Sequence, residues 1–501
     1  MGTETELKLH LSRTALPALR RHPVLAAALR DGNARTLDNT YYDTPGLALR
    51  KNGIALRTRR HGRRWWQTVK RAAPATGGLS ARPEWEQPYS DTFDFSAIDD
   101  GAVRKLLLRH QHNLAPLFST RFRRETWAYS PDPDTRILIM IDTGEVLCGE
   151  HRDPICEIEL ELAAGNPVDL LLLARQLAAD LPLVPDDTSK AARGYRLFLE
   201  LPLAPARAEP SGLSADLSPV EAFRLLAAAC VRQWQANVGG AATSHDPEFI
   251  HQLRVAQRRL RSLIRLFAPA LPETFVAHWV RLLRDNAGRL GDARDLDVLE
   301  DAILAPVTGA TEAERAALAR LRAVFHDLRS ASRQNAIDSL DTACQGRLLL
   351  DFTIALHQLP TNNLIGAADL ATFAGLQLDE VRRKVRKRAR AAREQEPATL
   401  HALRLTLKQL RYGMEFFAPL MPEKNARRQL RSLSRAQDAL GFVHDMDVAR
   451  EHLARRAGGD PALLAASAFV CGWHGPRYHK LCRRALADLA PLVDGPAPWR
   501  E

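Results

Sequence analysis

Near residue 203 the hydrophobic period of this chain changes, and that break divides it into two unlike halves. Upstream, apolar and polar residues alternate: Leu7, Leu9 and Leu11 take one face, and Glu4, Glu6, Lys8 and His10 the other. A period of two belongs to a strand, whose successive side chains point to opposite faces of a sheet. Similar short strands are predicted around 54–60, 65–71, 119–130, 136–142 and 156–162, with turns at Pro131-Asp132-Pro133-Asp134 and at Thr143-Gly144. One helix is predicted over 168–179. A Pro-, Ala- and Ser-rich stretch over 203–216 reads as a linker. Beyond it the spacing is that of amphipathic helices, near 219–237, 246–268, 273–290, 312–335, 377–394, 397–418 and 424–440, with Ser218-Pro219 and Asp246-Pro247 as helix-start pairs.

The helical half repeats itself at an offset of 150 residues. His251, Leu253, Arg254, Leu260 and Arg261 fall on His401, Leu403, Arg404, Leu410 and Arg411. Phe267-Ala268-Pro269 falls on Phe417-Ala418-Pro419; Leu290-Gly291, Asp295, Asp297 and Val298 fall on Leu440-Gly441, Asp445, Asp447 and Val448. A single offset across all of these implies two stacked helical bundles of common origin, with internal repeats over about 219–300 and 377–450. The first half, 1–202, reads as an antiparallel all-β or α+β domain with a few helices, and 217–501 as an all-α domain of two repeated bundles.

A length of 501 residues is too much for one ordinary core. Arg175 interrupts the longest apolar stretch, 170–183, so no membrane span is expected. The acidic start, Met1-Gly2-Thr3-Glu4-Thr5-Glu6, lacks a signal-peptide pattern, and the six cysteines form no C-x-x-C pair; both suit a cytoplasmic protein. The net charge of +11 and the pI near 9.6 point to an anionic partner without choosing among nucleic acid, acidic lipid and polyphosphate.

Charged residues two apart give the choice more content. Glu4, Glu6 and Lys8 form one stripe; Arg57 and Arg59, Arg121 and Arg123, Glu84 and Glu86, and Glu157, Glu159 and Glu161 form others. Any one of these would pass for the solvated face of an ordinary sheet. Together they segregate by sign, and their opposite faces, with Leu56, Phe122, Ile155, Ile158 and Leu160, are apolar enough to lie under helices. A closed barrel would turn the charged stripes inward and gather carboxylates and guanidinium groups in one lumen. A linear triphosphate suits such a lumen, because phosphoryl transfer needs positioning and fixed positive charge. Its carboxylates would repel that anion unless a divalent cation lay between, and hard oxygen ligands favour Mg²⁺ or Mn²⁺.

Glu4-Thr5-Glu6-Leu7-Lys8 resembles the E-x-E-x-K signature of the CYTH, or triphosphate tunnel metalloenzyme, superfamily. Further blocks follow in the family's order: Tyr42-Asp43-Thr44 with Leu47, Ala55-Leu56-Arg57-Thr58-Arg59, Gln67-Thr68-Val69-Lys70, Arg121-Phe122-Arg123, Glu157 to Glu161, and Ser189-Lys190-Ala191-Ala192-Arg193-Gly194-Tyr195. The resemblance covers roughly residues 1–200 and implies a closed antiparallel β-barrel with covering helices over 1–202, so the fold class expected for the whole chain is α+β. It implies a tunnel in which Arg57, Arg59, Lys70, Arg121, Arg123, Lys190 and Arg193 hold the phosphate chain with Lys8. It further implies that Glu4 and Glu6, with two of Glu157, Glu159 and Glu161, bind one or two metal ions. Asp142 and Glu145 are weaker acidic candidates, and Lys8 is a candidate for activating water.

In the helical half, His251, Arg254, Arg258 and Arg261 share one helical face, and His401, Arg404, Lys408 and Arg411 repeat it. These blocks resemble the CHAD domain over approximately 217–490, which implies a helical module binding inorganic polyphosphate on a basic surface. The neighbours of the histidines at i+3 are arginines, which are not metal ligands, so an anion is expected there. The basic run 381–390 contains no aromatic for base stacking, so nucleic acid is not expected. The activity expected is metal-dependent cleavage of tripolyphosphate to pyrophosphate and phosphate. The rivals are hydrolysis of thiamine or nucleoside triphosphate, adenylyl cyclisation, and a non-catalytic polyphosphate scaffold.

Overall fold

The computed structural model describes residues 2–62, 64–210, 212–288, 291–360 and 369–495, with Ala497 and Trp499. The chain forms two compact units. The first comprises Met1–Ala206 together with Gln235–Gly240 and Asp341–Gln358 from further along the chain.

The first unit is built on eight long strands: β1 (Gly2–His10), β2 (Arg35–Asp43), β3 (Ile54–His61), β4 (Arg64–Arg71), β5 (Leu79–Pro88), β6 (Ala115–Tyr129), β7 (Arg136–Cys148) and β8 (His151–Ala164). They pair antiparallel in the order β1-β5-β4-β3-β2-β6-β7-β8, and β8 pairs back onto β1, so the sheet closes into a barrel without free long edges. Short two-residue strands, Leu29–Arg30 and Val184–Pro185, add to β6 and to β1.

Along most of the barrel the alternation turns apolar residues outward. Leu7, Leu9, Ile139, Ile141, Ile158 and Leu160 pack beneath helix Pro167–Asp180, which buries Leu170, Leu173, Ala174 and Leu177 against them. Asn166 caps that helix in a capping box with Asp169, and Pro167 takes its first position, so its start is set by local sequence. On the other side Leu56, Val69 and Trp85 pack with Val103 and Leu107 of helix Gly101–His110. Each such leucine contributes about 1.5–3 kcal/mol when buried. A slip of one residue would send this entire set into the lumen and its charges under the helices, so the inward face is strongly specified.

Two expectations are corrected here. Thr143-Gly144 is not a turn: β7 runs through it, because Gly144 lies where a Cβ would meet Arg121 O at 2.2 Å, and glycine permits that close approach of β6. Phe122 and Ile155 do not face outward. They flank Gly144 and pack with Tyr41, Phe118 and Tyr195 on the inner side, which reverses the facing expected for the neighbours of Phe122.

The second unit, Arg207–Trp234, Ala241–Leu340 and Leu359–Glu501, is helical. Its repeat is visible in the element starts. Helices Pro247–Leu266 and Pro397–Phe417, the single turns Ala268–Ala270 and Ala418–Leu420, and helices Glu273–Gly288 and Glu423–Ala457 each begin 150 residues apart. Phe267 and Phe417, equivalent in the two copies, meet with ring centroids 5.5 Å apart. Leu290, which belongs to the repeated pattern, lies outside the described residues. Two helices had no clear period in the sequence, Thr342–His357 and Pro461–Asp494; the latter carries Pro476 and Pro491 internally.

Candidate active site in the barrel lumen

The barrel encloses a cavity of about 700 Å³. Its walls carry Glu4, Glu6 and Lys8 from β1, Arg57 and Arg59 from β3, Lys70 from β4, Arg82, Glu84 and Glu86 from β5, Arg124 from β6, and Glu159 and Glu161 from β8. In the strand order β3 lies four places from β8 in a ring of eight, so Arg57 and Arg59 rise from the wall opposite Glu159 and Glu161.

Register brings the carboxylates together. Glu6 stands opposite Glu161 and Lys8 opposite Glu159 across β1 and β8. Lys70 Nζ is 2.5 Å from Glu4 and 2.7 Å from Glu84, and Arg82 hydrogen-bonds Glu6. Arg59 donates to Asn39 at 2.7 Å, and Thr68 to Glu86 at 3.0 Å. The Nε groups of Arg57 and Arg82 are buried without a hydrogen-bond partner among the described residues. Arg82 Nε has Glu4 at 3.5 Å as an ion-pair partner, but a buried guanidinium N–H without a hydrogen bond, as on Arg57, is costly, and phosphate oxygens would satisfy it.

The electrostatics bear the same stamp. Burial raises the Glu6 carboxyl, and Glu159 and Glu4 raise it further, outweighing Arg82 and Lys70. Burial, Glu4 and Glu159 likewise raise Glu161. Glu84 is pushed up to about 7 by burial and a hydrogen bond with Glu4; Glu4, despite burial, is held at about 2 by Lys70, the Glu84 hydrogen bond and Arg82. On the other wall burial and the charges of Arg57 and Arg124 pull Arg59 down to about 10. Crowded carboxylates call for a cation and crowded guanidinium groups for an anion. Glu6 and Glu161 are the least compensated of these carboxylates, Glu159 being held well down, despite its burial, by Lys190 and Arg124; with Glu4 and Glu159 they offer hard oxygens, a donor set that fits Mg²⁺ or Mn²⁺.

A second acidic group, Asp142, Glu157 and Glu159, already has a cation. Lys190 Nζ lies 2.7 Å from Asp142, 2.8 Å from Glu159, and in hydrogen-bond contact with Glu157. Arg124 braces the group through Asp142, at 2.7 and 2.6 Å, and through Glu159.

Several expected lumen residues lie elsewhere. Arg121 and Arg123 point outward and are more than half exposed; Arg121 pairs with Asp38 at 2.6 Å and Arg123 with Glu125 at 3.4 Å. The cause is the inward Phe122, which brings Arg124 into the lumen instead. Arg193 is outside the cavity wall, paired with Asp153 at 2.8 Å and 3.7 Å from Glu157. Glu145 is exposed against Arg152. Arg82, Arg124, Arg50, Asp186 and Asp187 line the cavity and were not singled out as ligands from the sequence. Arg82 continues the i, i+2 stripe of Glu84 and Glu86, a signal that could have found it.

In the helical unit the two repeated basic faces approach one another. Burial together with Arg404, Arg258 and Arg411 lowers Lys408 to about 7, although Asp445 opposes this. His401 and His444 stand with Nδ1 atoms 3.1 Å apart. Burial, Arg404, His401 and Lys408 hold His444 down at about 4, and burial with Arg404 lowers His401. Arg258 donates to the Tyr412 hydroxyl at 3.0 Å, Arg411 pairs with Glu415 at 3.1 Å, and Arg261 is lowered by burial and by Arg265, Arg258 and Arg284. His251 and Arg254 lie on the first turns of the same helix as Arg258.

Residues 2–195 match the CYTH domain family and residues 225–454 the CHAD domain family. An inorganic triphosphatase of Haemophilus influenzae is 32% identical over 200 residues, 39% of this chain and 55% of that protein, so the match spans about half of that relative. An uncharacterised protein of Mycobacterium tuberculosis is 26% identical over 470 residues, covering 86% of this chain and 85% of its own length. The crystal structure of the CHAD domain from the plant Ricinus communis superposes with a TM-score of 0.48 and 29% identity, over 59% of this chain and 98% of that one.

Proposed function

The chain is a CYTH–CHAD protein, and on that premise we propose that its barrel removes the terminal phosphate of linear triphosphates, with inorganic tripolyphosphate as substrate. The observation that supports this most is the pairing, inside one 700 Å³ lumen, of a guanidinium wall with a crowded carboxylate wall. A pure anion binder gains nothing from buried carboxylates beside its ligand.

In this reading Arg57 and Arg59 grip the phosphate chain from one side and Arg124 from beside the acidic group, and their mutual repulsion falls as the anion enters. Lys70 and Arg82, which pair with Glu4, Glu6 and Glu84, add positive charge for the phosphate oxygens. Glu4, Glu6, Glu159 and Glu161 would hold the metal, while Asp142 and Glu157, with one oxygen of Glu159, serve as counter-ions to Lys190. A bound Mg²⁺ or Mn²⁺ supplies Lewis acidity toward the phosphate oxygens and the attacking water. Lys8, whose ammonium donates to Thr188 O and lies 3.9 Å from Asp186, orients that water in this reading. The fixed cations stabilise charge spread over the transferred phosphoryl group, and pyrophosphate and phosphate leave.

The facing basic sets His251, Arg254, Arg258, Arg261 and His401, Arg404, Lys408, Arg411 bind longer polyphosphate in this account. No helix among the described residues is long and apolar enough to cross a membrane. The six cysteines are free thiols, which suits the reducing cytoplasm, where we place the protein.

The test is phosphate release from tripolyphosphate, ATP and thiamine triphosphate under Mg²⁺ and under Mn²⁺, with long-chain polyphosphate alongside. Turnover highest on tripolyphosphate supports the proposal. Preference for an organic triphosphate moves the activity to that class, and polyphosphate binding without any turnover makes the chain a scaffold.

A further inference from the structure

Helix Thr342–His357 comes from the middle of the helical sequence, inside the CHAD match, yet it belongs to the barrel unit. Its apolar side chains Leu350 and Ile354 enter the core that also holds Leu9 and Leu183, and its Asp351 pairs with Arg175 of helix Pro167–Asp180 at 2.5 Å. Two contacts are closer than side-chain packing. A Cβ on Gly346 would meet Leu183 O at 1.9 Å, so the helix backbone rests directly on the segment that follows Leu183. A Cβ on Gly77, where φ is +66°, would meet Thr353 Oγ1 at 2.4 Å. Thr353 is fully buried, and its hydroxyl already donates to Leu349 O at 2.7 Å, so it meets Gly77 as shape.

Both supported segments converge on Lys8. After Gly77, Gly78 O accepts from Lys8 N at 2.9 Å, while Gly78 N donates to Asp187 at 2.8 Å. After Leu183, Val184 and Pro185 pair with His10 and Leu9, Asp186 N donates to Lys8 O at 3.0 Å, and Thr188 O accepts from the Lys8 ammonium. Gln235, from the other late segment of this unit, hydrogen-bonds Asp187. The backbone and the ammonium of Lys8 are thus caged by two segments that later parts of the chain hold in place.

We infer that helix Thr342–His357 and Gln235 are positioning elements for Lys8, so that part of the later, helical sequence is a working component of the tunnel. This rests on the triphosphatase reading of the lumen. A shift of about 1 Å in such a group costs up to about a hundredfold in rate.

The test uses the full-length chain. Gly346→Val forces the helix off Leu183, and Gln235→Leu removes the second support without touching the helix. Gly346→Val is expected to lower kcat on tripolyphosphate about tenfold with KM changed less than about twofold; Gln235→Leu is expected to lower it about threefold. In a Lys8→Ala background Gly346→Val should cost less than about twofold more, since its effect runs through Lys8. Unchanged kcat in both folded variants overturns the inference, and so does the same factor of loss with and without Lys8, which marks a general structural effect. Should Gly346→Val fail to fold, Gln235→Leu carries the same comparison alone. Hydrogen exchange at the amides of Gly78 and Asp186 is read in parallel without substrate. If wild type releases no phosphate, the triphosphatase reading falls, and unchanged exchange in both variants then refutes the positioning role separately.

Discussion

Lys190→Met removes one charge from a buried ionic cluster of the barrel while keeping all of the side chain's length but its terminal nitrogen. The Lys190 ammonium is 7% exposed and touches three carboxylates, of which Asp142 and Glu159 keep Arg124 after the substitution. Glu157, 2% exposed, keeps Arg193 at 3.7 Å. The loss is therefore that of one buried carboxylate left almost uncompensated, about 3–5 kcal/mol. For a unit of this size each kcal/mol lowers the melting temperature by about 2–4 °C, so the barrel's thermal transition should fall by roughly 6–20 °C. Calorimetry at pH 8 with EDTA measures this, the chelator preventing a divalent cation from replacing the ammonium. Adding Glu157→Gln to Lys190→Met removes the orphaned charge and should restore about half of the loss or more. A fall of less than about 2 °C, or no recovery in the double variant, would refute the view that Lys190 is the counter-ion of this cluster.

Arg121→Ala and Arg123→Ala should each leave tripolyphosphate turnover within about twofold, since both are exposed with partners worth about 0–1 kcal/mol. Arg124→Ala should lower kcat/KM by about a hundredfold, through a lost charge-assisted grip worth about 1.5–3 kcal/mol and a loosened acidic group. Glu161→Gln should raise the Mn²⁺ concentration needed for half-maximal rate by about 10–100-fold, measured by metal titration at saturating substrate. On the helical unit, burial and neighbouring arginines hold Lys408 near 7, so it is largely neutral at pH 8 and charged at pH 6. Polyphosphate affinity by calorimetric titration should therefore rise as pH falls through 7, by up to about tenfold per unit, and Lys408→Met should flatten that dependence.

The stripes at i and i+2 could be read because closing a barrel preserves strand alternation. Glu4, Glu6 and Lys8, Arg57 and Arg59, and Glu159 and Glu161 all reach one lumen from a pattern written locally. Arg121-Phe122-Arg123-Arg124 could not be read the same way, because arginines occupy both faces and the aromatic sides with the lumen. What settles it is the packing of Phe122 against Tyr41, Phe118 and Tyr195, residues far apart in sequence. Lys190 was legible as a cation, but its three carboxylate neighbours arise from register between β7 and β8, where Asp142 meets Glu157. Helix Thr342–His357 was missed for a different reason. Its buried face carries Gln345, Gly346 and Thr353 among its leucines, while Leu348 and Ile354 are only partly buried, so no one-sided apolar stripe marks it.

The central claim is that the carboxylate wall and the guanidinium wall act together on a triphosphate. Phosphate release from tripolyphosphate should be measured under Mn²⁺ for wild type, Glu6→Ala and Arg59→Ala, with EDTA-treated wild type as control. The account predicts turnover by wild type that EDTA and Glu6→Ala both abolish and that Arg59→Ala weakens chiefly through KM. Turnover that survives both Glu6→Ala and EDTA would contradict it.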